Sequence, residues 1–237
     1  EELQDAPPLM RLRLALDRES YATARELLPY ALGTVAERVA FYLDQAPGLE
    51  RGAAQVLADA LDPHACDEDG QALVWQVLAL GPGAGPALVA LLEKGAAPVG
   101  HGSLARYLNA ALLDAELRPD AETLALELLA RGADPFGAGA DGAAPLLQAL
   151  RLDWRRLLDA LLACGVDPET RDAHGVTALL LACQLDNEHA VRRLIAIHSP
   201  SARKASSIRQ GVAAVGSSTE PSTSTRNSFP SHAAFAF

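Results

Sequence analysis

The sequence predicts an all-α protein built as a solenoid of stacked helix pairs, and three observations carry that expectation. Ala and Leu dominate while aromatic residues make up only 5%, and both favoured types lose little freedom in a helix and pack closely. The phrase LLEKGAAP (91–98) returns as LLARGADP (128–135) and LLACGVDP (161–168), and the last two copies are 33 residues apart, as are Gly142 and Gly175. Between these phrases apolar residues fall at i, i+3 and i+4, separated by turns of Gly, Asp and Pro. A helix hairpin of this size cannot bury its apolar face alone. Stacking on its neighbours does so, and stability then comes from nearest-neighbour interfaces.

The array is expected to span 1–198 in about six units. Over 1–65 it is degenerate: PPLMRLRLAL followed by YATARELLPYAL reads as a helix pair, while 34–65 carries the pattern least. In 67–99, DEDGQALVWQVLAL supplies a first helix and ALVALLEKGAAP a second, with a small insertion at GPGAGP whose Pro86 suits a first helical turn. In 100–137, SLARYLNAALL and TLALELLARGADP pair across a longer connection. In 139–171, Leu157, Leu158, Leu161 and Leu162 form the buried stripe of the second helix. Asp153 is placed to cap that helix, and Gly165 to supply the left-handed residue that ends it. The unit 172–198 follows at the same spacing. From 199 to 237 the chain is rich in Ser and Thr with no helical period, and it is expected to be a disordered tail.

The residues Asp172, Gly175, Thr177, Leu179, Ala182, Leu194 and Ile195 resemble the ankyrin repeat, which runs Asp-x-x-Gly-x-Thr-Pro-Leu-His-x-Ala-Ala into a second helix ending Leu-Leu-x-x-Gly-Ala-Asp. Ala178, Leu180 and Cys183 stand where that family keeps Pro, His and Ala. The unit before matches at Gly142, Pro145, Leu146, Ala149, Leu161, Leu162, Gly165 and Asp167. No unit carries the full Thr-Pro-Leu-His. The resemblance implies a non-catalytic protein–protein interaction module that uses its turn tips and first-helix face; a fold alone names no partner. Two other readings are a repeat segment that recruits substrate to a larger enzyme, and a secreted bacterial effector.

The net charge of −10 divides into −13 up to Ser199 and +3 beyond it. An acidic body repels phosphate backbones, so nucleic acid is not an expected partner. Eighteen of the twenty basic residues are Arg, a bias that fits a GC-rich, bacterial coding sequence. Three cysteines do not make a disulfide framework, and reduced thiols fit a cytoplasmic setting. No apolar run near the roughly eighteen to twenty residues that a membrane span needs is expected. The start EELQDAPPLM has neither Met nor a signal pattern, so the chain is expected to be a fragment of a longer polypeptide, and a monomer.

Cys164, Cys183 and His174 crowd into one short stretch, but zinc needs closely spaced ligand pairs. The two thiols are expected in the core, where a thiol behaves as a small hydrophobe, and His174 in an exposed turn. DPHACDEDG (62–70) fails the calcium-loop count and reads as an acidic turn. GPGAGP lacks the Lys and third Gly of the phosphate and dinucleotide loops. Trp75 and Trp154 read as packing residues. No cofactor, metal or catalytic residue is therefore expected. The binding surface is expected at the turn tips, with Phe136, Asp141, Arg171, Asp172 and His174 in a row and Gln148, Arg151 and Gln184 along the adjoining groove. Phe136, in a Gly-rich turn, either tucks against the next repeat or stands out as an interface anchor.

Overall fold

The structure is a computed structural model that describes residues 6–66, 70–114, 119–139 and 142–198. Within the unit Glu1–Ile195 the described residues form helices, no strand longer than an isolated bridge, and short turns. The helices come in pairs: α1 (Pro8–Asp17) with α2 (Tyr21–Ala31), α3 (Val35–Gln45) with α4 (Arg51–Asp59), and α5 (Leu73–Leu80) with α6 (Gly85–Glu93). These are followed by α7 (Ser103–Leu113) with α8 (Ala121–Ala130), α9 (Pro145–Arg151) with α10 (Arg155–Ala163), and α11 (Ala178–Gln184) with α12 (Glu188–His198). First helices lie on first helices, α3 on α5, α5 on α7, α7 on α9 and α9 on α11, while α2 packs on α4, α4 on α6 and α8 on α10. The stretch 34–65, in which the repeat is hardest to read, thus contributes a regular pair. Its first helix opens with a capping box, in which the Thr34 hydroxyl accepts the Glu37 N–H and the Glu37 carboxylate accepts the Thr34 N–H.

The repeated Leu-Leu-x-x-Gly phrase ends each second helix in one way. Gly95, Gly132 and Gly165 are all left-handed, with φ of 96, 93 and 87°. The N–H after each glycine reaches the carbonyl five residues back (Ala96 to Leu91, Ala133 to Leu128, Val166 to Leu161), while each glycine's own N–H bonds three residues back. This is the Schellman arrangement. The leucine that accepts the longer bond is also the deepest core residue: Leu91, Leu128, Leu161 and their equivalent Leu194 are each 0% exposed.

Three first helices, α1, α9 and α11, end in the same geometry without glycine. Glu19, Asp153 and Asp186 are left-handed at φ of 55, 53 and 53°, and Ser20, Trp154 and Asn187 donate back to Ala15, Ala149 and Ala182. This corrects the expected role of Asp153: it terminates α9, and its carboxylate accepts from Asn187 of the next unit at 2.7 Å instead of capping α10. Asp tolerates the left-handed region better than most residues. Glu19 holds the corresponding place at the end of α1.

Adjacent pairs are latched at one end. The Lys94 ammonium, at the close of α6, donates to the carbonyls of Ala58, Asp59 and Leu61 at the end of α4, at 2.8, 3.1 and 2.8 Å. Arg131, in the corresponding place after α8, donates to Leu92 O at the end of α6 at 2.7 Å. Cations there give the helix-end carbonyls a further, charged donor and face the negative end of the helix dipole. Inside the stack the Tyr42 hydroxyl donates to Ala87 O and Tyr107 to Ala121 O. Burial pushes both phenols up, with Asp120 and Asp114 adding to the effect at Tyr107.

Two further expectations are corrected. The α5–α6 region, Leu73–Glu93, is 21 residues long and apolar enough to match a membrane span by length and composition. Gly81, at φ 70° and ψ −155°, breaks it, and α6 packs against α5, so most of the run is buried as two short helices of the stack. A side chain at Gly81 would strike Ala110 of α7, its Cβ 2.7 Å from that of Ala110. Cys164 and Cys183, expected in the core, are exposed. Cys164 follows α10 in the place that Lys94 and Arg131 hold in earlier units. Cys183 lies on the side of α11 over which the described residues place no further pair. The expected tail 199–237 lies outside the described residues.

Candidate functional site

The turns that enter α5, α9 and α11 are each built on an aspartate. Asp62, Asp134 and Asp167 each accept the N–H two residues on, from His64, Phe136 and Glu169, all at 2.9 Å. Single bridges, Cys66 with Ala72 and Arg171 with Thr177, close the first and third of these turns. The acidic stretch 62–70 is therefore the same turn as 167–175, with Gly70 and Gly175 left-handed at its end; Asp67, Glu68 and Asp69 lie outside the described residues. Asp134 does more: its other oxygen accepts Gly102 N–H at 2.8 Å and Gly137 N–H at 3.1 Å and lies 3.3 Å from His101 Nδ1. Partial burial pushes this carboxyl up, but the N–H donors of Gly102, Phe136 and Gly137 together with His101 outweigh it and hold the group below the ordinary carboxylate value. Gly137 is required here, because a Cβ would collide with the Asp134 carboxylate and the Gly102 nitrogen.

Counted from the start of α5, α7, α9 and α11, the fourth residue is Gln76, Arg106, Gln148 or Leu181 and the seventh Ala79, Asn109, Arg151 or Gln184. These positions are one turn apart and share a helix face. They include the three expected groove residues, but the structure separates those three. Gln148 is 0% exposed: α9 lies between α7 and α11, and its Nε2 donates to Asn109 Oδ1. Its Oε1 has no hydrogen-bond donor among the described residues. The same slot in α11 holds Leu181, itself 8% exposed, so this position belongs to the core and not to a free groove. Arg151 is paired to Asp172 at 3.4 Å. Gln184 is exposed at the end of α11.

Of the expected turn residues, Phe136 stands out from its turn, 61% exposed, which decides between its two expected placements. Arg171 and His174 are exposed. Asp172 is not a free tip. Its carboxylate accepts the N–H groups of His174 and Val176, both at 2.9 Å, and faces Arg151. The Val176 bond, then the His174 N–H and the charges of His174 and Arg151, hold this carboxyl below its ordinary value against some desolvation. Asp141 lies outside the described residues.

A cleft of about 280 Å³ opens between α5 and α7 beside the 134–139 turn, lined among others by Trp75, His101, Arg106, Asn109 and Leu113. Arg106 lies over the Trp75 ring, its guanidinium carbon 5.6 Å from the ring centre, and the indole N–H of Trp75 donates to Val99 O at 3.2 Å. Trp75 is thus half-buried and both packs and plates a wall, whereas Trp154 is core. The Arg106 Nε is buried without an acceptor among the described residues. Leu113 stands at the rim, 87% exposed. Sequence reading missed Arg106 and Asn109, yet they hold in α7 the register positions of Gln148 and Arg151, and counting from each helix start would have found them. No group of three or more His, Cys, Asp and Glu positioned to hold a metal occurs among the described residues. Neither a model of a known protein family nor a curated protein matches this chain.

Proposed function

We propose that the chain is an ankyrin-type solenoid that works as a non-catalytic protein–protein interaction module, binding another protein along the face formed by its turns and first helices. The observation that carries this reading is the face itself. Phe136 is exposed in a turn whose backbone is fixed by Asp134, and the Trp75–Arg106 cleft lies beside that same turn. Rigid turns that display an aromatic lower the ordering cost of association, and exposed aromatics and Arg are favoured anchors. Arg171 and His174 extend the face into the next turn.

The test uses a partner captured and identified with the whole chain. Phe136→Ala and Arg171→Ala are expected to weaken its binding while leaving the helical signal and melting temperature unchanged. If both bind as tightly as the parent, and exposed substitutions on the second helices such as Arg155→Ala and Arg192→Ala abolish binding, the face is wrongly assigned.

A further inference from the structure

We infer that the cleft between α5 and α7 seats a carboxylate side chain of the bound protein segment on Arg106, with an apolar neighbour of that side chain against Leu113. This rests on the reading that the turn and first-helix face binds protein.

A desolvated N–H without an acceptor is costly, and the buried Nε of Arg106 is such a group. The guanidinium is nevertheless held in place by its stacking on Trp75, itself anchored through Val99 O. A planar cation fixed by its face, with Nε turned inward, leaves its terminal nitrogens to the cleft that it lines, and these match the two oxygens of a carboxylate. Among the described residues that line the cleft, none is Asp or Glu. Asp134, in the adjoining turn, is already occupied by three backbone N–H groups and His101. On a chain of net charge −10, a cleft whose charged lining among the described residues is Arg106 is locally opposite in sign to the molecule and disfavours a cationic side chain. Leu113 supplies apolar contact at the rim, so the residue beside the carboxylate is apolar.

The experiment follows the Arg106 Nε–H and Trp75 indole resonances of the whole chain by NMR during titration with a blocked hexapeptide of alternating Glu and Leu. A counterpart with Gln for Glu is the control. The Glu peptide is expected to shift both resonances and the Gln peptide to bind about tenfold more weakly, as for loss of a charged hydrogen-bond partner. Arg106→Gln is expected to abolish the preference, Arg106→Lys to retain part of it, and Leu113→Gln to weaken the Glu peptide. Where Arg106→Gln does not fold, Arg106→Lys and Leu113→Gln carry the test, the latter altering only an exposed rim residue. Equal binding of the two peptides, or no movement of the Arg106 resonance at millimolar Glu peptide, overturns the inference. If a captured partner requires Phe136 and Arg171 but binds Arg106→Gln unchanged, the protein-binding face stands and the carboxylate seat falls.

Discussion

Leu161 closes the Schellman turn at its backbone and fills the core with its side chain, so it serves two purposes at once. Leu161→Ala leaves the backbone bond and removes the filling; a loss of about 2–5 kcal/mol is expected, measured by urea denaturation, and a loss below half of one kcal/mol would show the helix face to be misplaced. Asp172 sets a pH dependence. Its folded-state carboxyl ionises below the ordinary 3.8, so the folded chain binds fewer protons than the unfolded one. The stabilisation is complete above that ordinary value and is lost as pH falls through the folded one. Asp172→Asn should therefore unfold more readily than the parent at pH 7, with the gap narrowing below about pH 4; a gap that does not change with pH would refute the charge pairing. Single residues were the least legible part of this sequence. Asp153 reads as a helix cap because Asp favours that role, and only the turn geometry shows it ending the previous helix. Gln148 reads as surface because it is polar, and only its place between α7 and α11 buries it.

At the scale of the helix, the latch is the feature with the clearest energetic consequence. Lys94→Met leaves the carbonyls of Ala58, Asp59 and Leu61 without their shared donor; a loss of about 1–3 kcal/mol is expected, with α4 fraying first by hydrogen exchange. Cys164 holds the same register without a charge, so Cys164→Arg should add stability, by about 0.3–1 kcal/mol, through the end of α8. No change in either variant would mean that solvent satisfies those carbonyls equally well. The ends of α6, α8 and α10 were readable from Leu-Leu-x-x-Gly, because left-handed termini favour Gly and buried stripes favour Leu. The pair α3–α4 lacks that phrase and was obscured. Its capping box, Thr34 with Glu37, was nonetheless present in the sequence as a helix start.

At the scale of the whole array, the last pair differs from the rest by what covers it. Leu147 and Leu150 of α9 are buried, whereas Leu180 and Cys183, each 33 residues later in α11, are exposed. Stability in a stack depends on interfaces with both neighbours. Amides of α11 should therefore exchange faster than those of α9 under native conditions, and equal protection would mean that the face is covered in solution. The stacking of pairs was legible from the period alone. The cleft was not, because it arises between α5 and α7 where the spacing of units departs from 33. The latches also give the stack a direction in time. Each cation lies on the C-terminal side of the carbonyls it closes, 33 to 39 residues further along. In a chain emerging from the ribosome, α4 and α6 are therefore synthesised before the cations that seal them, which arrive only with the following pair. Translation thus hands these two units to their successors still open at one end, and a stop after Gly95 would leave α6 waiting for Arg131.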